Sequence, residues 1–196
     1  MADKKELIYK SGEKIFSELG FKDTNVSKIT KDAGIGVGTF YSYYDSKEEL
    51  FMEIFLDRNN RLKKKVLEKV DIESEPMMAV TQMMSLNNEE MLKDPILRMW
   101  YDREAYQKVE KKFVEQKGLE EVSFVYDFYL DVIRKWQDEG KMRSDIDTEL
   151  IMAMFAALIN IDMHKDEIGV KFFPEIMNWL AGFIIDGLTK NIKEER

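Results

Sequence analysis

The sequence predicts an all-α protein from three observations. Pro and Gly number only 3 and 10 in 196 residues, too few for a turn-dense β architecture. The chain is rich in Leu, Ile, Glu and Lys, a mixture that favours helices. Along each predicted helix, apolar residues recur at the three- and four-residue spacing of a buried face. Hydrophobic residues make up 44% of the chain, enough to build a folded core.

The first two predicted helices end at glycines. The first helix runs from Lys4 to Leu19, and Gly20 follows it as a typical C-terminal cap. The second helix begins after Thr24 and ends at Gly34 after barely two turns. Both helices are therefore expected to be short and sharply terminated.

The third predicted helix is shorter still and spans residues 37–43. Gly36 can serve as its N-cap, and its inward positions are Phe40 and Tyr44. Ser46 and Glu49 have the spacing of a capping box, which predicts that a long fourth helix begins there. The fourth helix is expected to extend to about residue 70. Later segments rich in Met and aromatic residues are predicted to form a helical bundle from residues 76–86, 95–117, 119–139, 147–163 and 172–191.

The segment before the fourth helix has the layout of a helix-turn-helix. In that motif two short helices meet at a tight turn, a third helix braces them, and the second member enters the DNA major groove. Only Gly34, Ile35 and Gly36 separate the second and third predicted helices. The third helix exposes small, hydroxyl-bearing and aromatic side chains without charge, which suits close approach to bases and phosphates. The sequence therefore predicts binding to double-stranded DNA.

The charge distribution is compatible with that prediction. The net charge of −8 opposes binding to phosphates. Residues 1–65, however, carry a net charge of +2, and the remaining residues carry −10. A weakly basic N-terminal region thus precedes an acidic body.

The N-terminal residues also resemble a known family. They include Leu19-Gly20-Phe21, the run from Ala33 to Tyr44, and Ser46-Lys47-Glu48-Glu49-Leu50. In kind and spacing they are similar to the N-terminal domain of the TetR family of bacterial and archaeal regulators, over about 45 residues. The resemblance implies a transcription regulator, most often a repressor. Combined with the motif, it leads us to expect a homodimer that binds a palindromic operator and responds to a small hydrophobic ligand.

The resemblance further implies the residues that contact DNA. The groove-facing positions are Val37, Gly38, Thr39, Tyr41 and Ser42. The phosphate contacts are Thr24, Thr39, Tyr43 and Lys47. Gly12, Thr30 and Gly36 depart from the family's common residues, but these departures concern packing and a helix cap and remove none of the implied contacts.

We predict three parts in the chain: a DNA-binding domain (1–47), a connecting fourth helix (48–70), and a ligand-binding and dimerisation domain (71–196). Met and aromatic side chains form adaptable walls that suit a large apolar effector. The candidate pocket residues are Met77, Met84, Met99, Trp100, Tyr101, Tyr106, Phe124, Phe128, Met154 and Phe155. Segments 147–163 and 172–191 are apolar on more than one face and carry small residues, so we expect them to form the dimer interface. Its candidate residues are Ala153, Ala157, Trp179, Gly182 and Phe183.

Several function classes are disfavoured by composition. The chain has no Cys and one His, so we expect no metal site, no cofactor and no catalytic residue. A di-iron bundle needs Glu-x-x-His pairs, and Ile161 stands where His164 would require a Glu. The first residues lack an apolar stretch, and the longest apolar run is about half of the ~20 residues needed to span a membrane, so we expect a cytoplasmic protein.

Two interpretations remain open beside these predictions. The uncharged third helix is also compatible with a helical interaction protein that has lost specific DNA binding. A second phosphate-binding strip is the other possibility, although charge runs on long helices are usually solvated faces. The residues of that strip are Arg58, Arg61, Lys63, Lys64 and Lys65.

Overall fold

The protein is all-α, as predicted, in the residues that its computed structural model describes: 3–102, 123–173 and 175–189. The chain divides into two compact units. The first comprises Met1–Glu68 and Ser85–Ser123, and the second comprises Lys69–Met84 and Phe124–Arg196. The functional division at residues 47 and 70 stays a prediction.

The helices of the first unit are α1 (Lys4–Asp23), α2 (Val26–Ala33), α3 (Val37–Tyr41), α4 (Lys47–Lys69) and the second half of α5 (Pro76–Lys93), followed by a 3₁₀ turn (Leu97–Tyr101). Helix α1 continues beyond its predicted end because the backbone kinks at Gly20 and then turns once more. The φ of +77° at that kink suits glycine, which has no Cβ to clash. Helix α3 ends two residues before its predicted end, and α5 runs well past residue 86.

Side-chain caps explain where α2 and α4 begin. The Asn25 carboxamide oxygen accepts a hydrogen bond from the Lys28 N–H (2.9 Å), which starts α2. The Ser46 hydroxyl oxygen accepts from the Glu49 N–H (3.2 Å) at the start of α4. In a capping box the Glu49 carboxylate would accept from the Ser46 N–H. Here it accepts from the Asp45 N–H instead (2.6 Å), one residue earlier.

Three phenylalanines form the centre of the first unit. The Phe16 and Phe21 rings on α1 each lie 5.0 Å from the Phe51 ring on α4, centroid to centroid, in edge-to-face contact. The surrounding side chains are fully buried: Ile8, Ile29, Phe40, Leu50 and Ile54. This core fixes α1 to α4 and places α2 and α3 on a rigid base.

Gly12 is the point of closest approach between α1 and α4. A Cβ added there would lie 2.6 Å from Leu50 Cδ2 and 3.3 Å from Ile54 Cδ1. Gly12→Val is therefore expected to lower the free energy of unfolding by about 1–3 kcal/mol, the usual cost of overpacking a core. Chemical denaturation measures this, with Gly36→Ala as the control, because no heavy atom lies within 4 Å of a Cβ there. Equal stability of both variants would show that the α1–α4 contact is not tight.

The second unit contains the first half of α5, α6 (Ser123–Asp138), α7 (Thr148–Met163), α8 (Lys165–Ile168), a short 3₁₀ turn (Val170–Phe172) and α9 (Glu175–Thr189). Trp136 is buried and its indole N–H donates to the Ile72 carbonyl (3.0 Å). The Arg143 N–H donates to the Leu188 carbonyl (2.8 Å), which ties the loop after α6 to the end of α9. None of the described helices is long and apolar enough to cross a bilayer.

Candidate nucleic-acid interface

The turn between α2 and α3 has the geometry of a helix-turn-helix. Gly34 ends α2 in the left-handed conformation (φ +67°, ψ +30°), and its N–H bonds back into α2. The Ile35 N–H donates to the Thr30 carbonyl (3.0 Å), which closes the turn. Gly36 is then extended (φ −77°) and α3 begins at the next residue. Only Gly34, Ile35 and Gly36 therefore separate α2 from α3, as the sequence predicts.

One face of α3 is anchored in the core. Phe40 is fully buried and its ring lies 5.7 Å from that of Tyr44, which is also buried. Both inward positions predicted for this segment are thus confirmed. Buried aromatics on a five-residue helix leave its other positions facing solvent.

The exposed positions of this segment coincide with the predicted DNA contacts. Tyr41 is 55% exposed and Tyr43 40% exposed, large fractions for aromatic side chains. Val37, Gly38 and Ser42 are exposed as well, and Thr39 is partly exposed. A Cβ added at Gly38 would meet nothing within 4 Å, so the backbone is open to close approach from outside. The surface is free of charged side chains and rich in hydroxyls, and such a surface can read base edges.

Thr24 occupies a different position from the one implied by the resemblance. Its side chain is buried, and its hydroxyl donates to the Gly20 carbonyl (2.7 Å). The hydroxyl therefore holds the turn after α1 and is not available to a phosphate in this conformation. The phosphate contact of Thr24 that the resemblance implies stays a prediction.

Lys47 lies at the start of α4, but its ammonium points back to α1. Its Nζ donates to the Phe21 carbonyl (2.8 Å) and to the Thr24 carbonyl (2.6 Å). The Nζ also lies 4.5 Å from the centroid of the Phe21 ring, within cation–π range. We call this arrangement the Lys47 clasp. It fixes the loop that precedes α2, and the predicted phosphate contact of Lys47 stays a prediction.

The basic residues of α4 serve contacts within the first unit. The Arg58 guanidinium pairs with Glu13 (3.0 Å) and Asp94 (2.7 Å), and Arg61 pairs with Asp57 (2.5 Å). Lys65 pairs with Glu90. These contacts do not favour a second phosphate-binding strip. Exposed cations on α2, Lys28 and Lys31, were not singled out from the sequence, where they look like any solvated lysines.

The candidate dimer residues lie on an exposed apolar face of the second unit. Trp179 is 66% exposed and Phe183 61% exposed on α9, with their ring centroids 5.6 Å apart. Ala153 and Ala157 on α7 are exposed and Gly182 is partly exposed. Helices α7 and α9 contact each other. Two neighbouring large aromatic side chains in solvent form an exposed apolar patch, and its role as a dimer interface stays a prediction.

The candidate pocket residues are distributed over both units. Met99, Trp100 and Tyr101 belong to the first unit, and Trp100 stacks on Phe55 with ring centroids 5.5 Å apart. The second unit contains Met77, Met84, Phe128, Met154 and Phe155. Tyr106 and the side chain of Phe124 lie outside the described residues. Whether any of these residues lines a pocket stays a prediction.

The N-terminal residues match a known family of regulators. Residues 8–54 match the model of the bacterial regulatory proteins, tetR family. The HTH-type transcriptional regulator YhgD of Bacillus subtilis is 38% identical over 76 residues, which are 39% of this chain and 38% of YhgD. The fatty acid metabolism regulator protein of the same species is 26% identical over 83 residues, 40% of this chain and 43% of that protein. The chain thus spans about two fifths of these relatives' lengths.

The fold is similar to that of a solved regulator over nearly the whole chain. The crystal structure of the regulator FadR from B. subtilis in complex with stearoyl-CoA matches with a TM-score of 0.56 at 18% identity, covering 94% of this chain and 97% of that one. At this identity the likeness establishes the fold alone. The match to the tetR family therefore covers the N-terminal residues 8–54, and the likeness over the rest of the chain is one of fold.

Proposed function

We propose that this protein is a repressor that binds a palindromic operator in the cytoplasm as a homodimer and is released by a small hydrophobic effector. The observation that carries the proposal is the uncharged exposed surface of α3, presented by the Gly34 turn and anchored by Phe40. A recognition helix of this kind approaches base edges through the major groove. The relatives are regulators, so we infer that the chain itself has no enzymatic activity.

The α3 residues divide into two roles in this proposal. Thr39 and Ser42 read base edges, together with Val37, Gly38 and Tyr41. Tyr43, in the turn that follows α3, binds a phosphate through its phenol hydroxyl. Contacts of the first kind distinguish sequences, and contacts of the second kind position the protein on any duplex.

Substitutions in the two groups are therefore expected to have different effects. Thr39→Ala should reduce discrimination between operator and random duplex by about 1–3 kcal/mol, the worth of a good base contact. Tyr43→Phe, which removes only the hydroxyl, should weaken binding to both duplexes by the same factor. Fluorescence anisotropy with the two DNAs measures both effects. A uniform loss for Thr39→Ala, or a selective loss for Tyr43→Phe, would reverse the assigned roles.

Dimerisation in this proposal uses the exposed face of α7 and α9. A second copy of the chain would cover Trp179 and Phe183, and the small residues Ala153 and Ala157 would let the helices cross closely. Burial of such aromatics is a strong driving force for association. Two copies are needed because operator half-sites in successive major grooves lie about 34–36 Å apart.

Release by an effector would act on that spacing. A ligand that binds more tightly to a state with a different separation of the two α3 helices lowers operator affinity. The largest possible reduction equals the ratio of the ligand's affinities for that state and for the DNA-binding state, commonly about 5- to 150-fold. FadR was crystallised with stearoyl-CoA, which supports an effector with a long apolar part for this chain. The test titrates candidate ligands against the preformed operator complex. Tight ligands that never change operator affinity would refute release.

A further inference from the structure

A lysine without an acidic partner lies between α4 and the second half of α5. Lys63 is partly buried, and its ammonium is directed toward α5. The Nζ donates to the Asn87 carboxamide oxygen (2.5 Å), which is neutral. Among the described residues no carboxylate pairs with it, whereas its neighbour Lys65 pairs with Glu90. A buried cation without a counter-charge is costly, because desolvation disfavours the charged form.

A second polar group near Lys63 also lacks a partner. Asn60 lies one turn earlier on the same face of α4, as the three-residue spacing requires. Its carboxamide oxygen is buried and accepts no hydrogen bond from the described residues. Buried polar atoms are almost always satisfied, so two such deficits three residues apart on α4 point to a further group on this face of the helix.

The side chains next to this polar group include a thioether and an aromatic ring. The Asn87 amide N–H₂ contacts the Met91 sulfur (3.6 Å), and the Tyr101 hydroxyl contacts the same sulfur (3.8 Å). Tyr101 is one of the residues predicted for the effector pocket. The polar group of Lys63, Asn60 and Asn87 is thus continuous with a thioether and an aromatic side chain in the same unit. This combination fits a ligand with one charged end and an apolar body.

We propose that Lys63, Asn60 and Asn87 form the binding site for the anionic end of an amphipathic ligand, whose carboxylate or phosphate oxygen accepts a hydrogen bond from the Lys63 ammonium. The proposal rests on the proposed function in taking this ligand to be the effector. The anion supplies the counter-charge that the site lacks. The Asn60 carboxamide, turned about its last side-chain bond, donates its N–H₂ to the same anion.

The protonation of Lys63 gives the site a measurable signature. Burial lowers the pKa of Lys63 to about 8. From α5, Asn87 faces the Lys63 ammonium, and Glu90, three residues further along α5, is engaged by Lys65. A bound anion raises the pKa again, so binding near pH 8 or slightly above must take up protons from the buffer. Affinity for the anion then falls as the pH rises through the pKa of the bound state.

The experiment is calorimetric titration of the full chain with fatty acids of increasing length, the matched primary alcohols and the matched acyl-CoA thioesters. The wild type is expected to bind an anionic member about 10- to 100-fold more tightly than the alcohol of equal length, the worth of one charge-assisted hydrogen bond. Lys63→Met should lose that preference and the proton uptake while keeping affinity for the alcohol. Lys63→Gln, which keeps an N–H donor, should behave in the same way.

Lys64→Met is the matched control, because it removes the same charge from an exposed neighbouring position of α4. Lys64→Met should keep the preference for the anionic ligand over the matched alcohol. If Lys63→Met loses the preference for the free acid alone over the alcohol, the site binds a carboxylate. If it loses the preference for the thioester alone, the site binds a phosphate. The proposal is overturned if Lys63→Met retains the preference, or if no anionic member binds better than its alcohol. Replacing a buried cation by Met should not lower thermal stability, which melting curves check.

A separate measurement distinguishes this proposal from the proposed function. If an anionic ligand binds through Lys63 but leaves the affinity for operator DNA unchanged, the Lys63 binding site is supported and the ligand's role as effector is refuted. If only neutral compounds release the operator, and do so equally in the wild type and in Lys63→Met, regulation by a ligand is supported and the Lys63 site is refuted.

Discussion

Replacing both Trp179 and Phe183 by Asp is expected to convert the proposed dimer into monomers of 23.2 kDa. Each side chain occurs twice in a two-fold interface, so four large aromatics are lost. At about 2 kcal/mol for each such anchor, association weakens by about 8 kcal/mol, more than five powers of ten in the dissociation constant. Sedimentation velocity measures the mass, and operator binding should be lost with the second half-site.

The fold of each chain should survive this change, because both side chains are exposed on the single chain. Met78→Asp is the matched control, since Met78 is 65% exposed on α5 and belongs to neither α7 nor α9. It should remain dimeric. A double variant that sediments at twice the monomer mass, or a wild type that is monomeric at micromolar concentration, would contradict the proposed interface.

Lys47→Met is expected to destabilise the first unit by about 2–3 kcal/mol. The substitution removes two hydrogen bonds from an ammonium to backbone carbonyls, each worth about 1.5–3 kcal/mol before the freed carbonyls regain water. It also removes the cation–π contact with Phe21. Chemical denaturation measures the loss, with Lys31→Met as the control, because Lys31 is an exposed lysine on α2. Exposed positions of this kind change stability by less than about 0.5 kcal/mol.

The same variant separates two roles for Lys47 in the DNA complex. If the Lys47 clasp persists on DNA, Lys47→Met weakens binding but leaves the salt dependence unchanged. If the ammonium moves to a phosphate, the slope of log K against log salt falls by about 0.9. An unchanged stability together with a reduced slope would refute the clasp and support the phosphate contact implied by the family resemblance.

Local signals in the sequence were sufficient to predict most of the N-terminal region. A left-handed backbone after a helix strongly favours glycine, so Gly34 locates the turn between α2 and α3. Phe40 and Tyr44 lie four residues apart in an otherwise polar segment, which predicts their burial. Each of these features depends on neighbours in the chain, so spacing alone reveals it.

Features that depend on the folded conformation were missed. The family resemblance implies that Thr24 contacts a phosphate, and only the folded turn shows its hydroxyl bound to the Gly20 carbonyl, four residues earlier. The sequence predicts a helix over 76–86, and the asparagines that follow are poor helix formers. In the fold Asn87 accepts a hydrogen bond from Lys63 on α4, and the helix continues to Lys93. Tertiary contacts here outweigh local propensity.

The pocket could not be predicted for a different reason. Met and aromatic side chains serve equally well in a core, a pocket wall and an interface. Trp100 and Trp179 illustrate this, since one stacks on Phe55 and the other is exposed on α9. Residue type and helical spacing do not distinguish such environments, whereas burial in the folded chain does.

The most direct test of the account is the affinity of the full chain for the DNA upstream of its own gene and for a scrambled duplex, measured by anisotropy over a range of salt concentrations. We expect a palindrome in the upstream DNA to bind at least about 10³-fold more tightly than the scrambled duplex at physiological salt. Affinity for both should decline linearly on logarithmic axes as salt increases. Failure to bind either duplex, even at low salt, would contradict the account and favour a helical protein whose α3 no longer binds DNA.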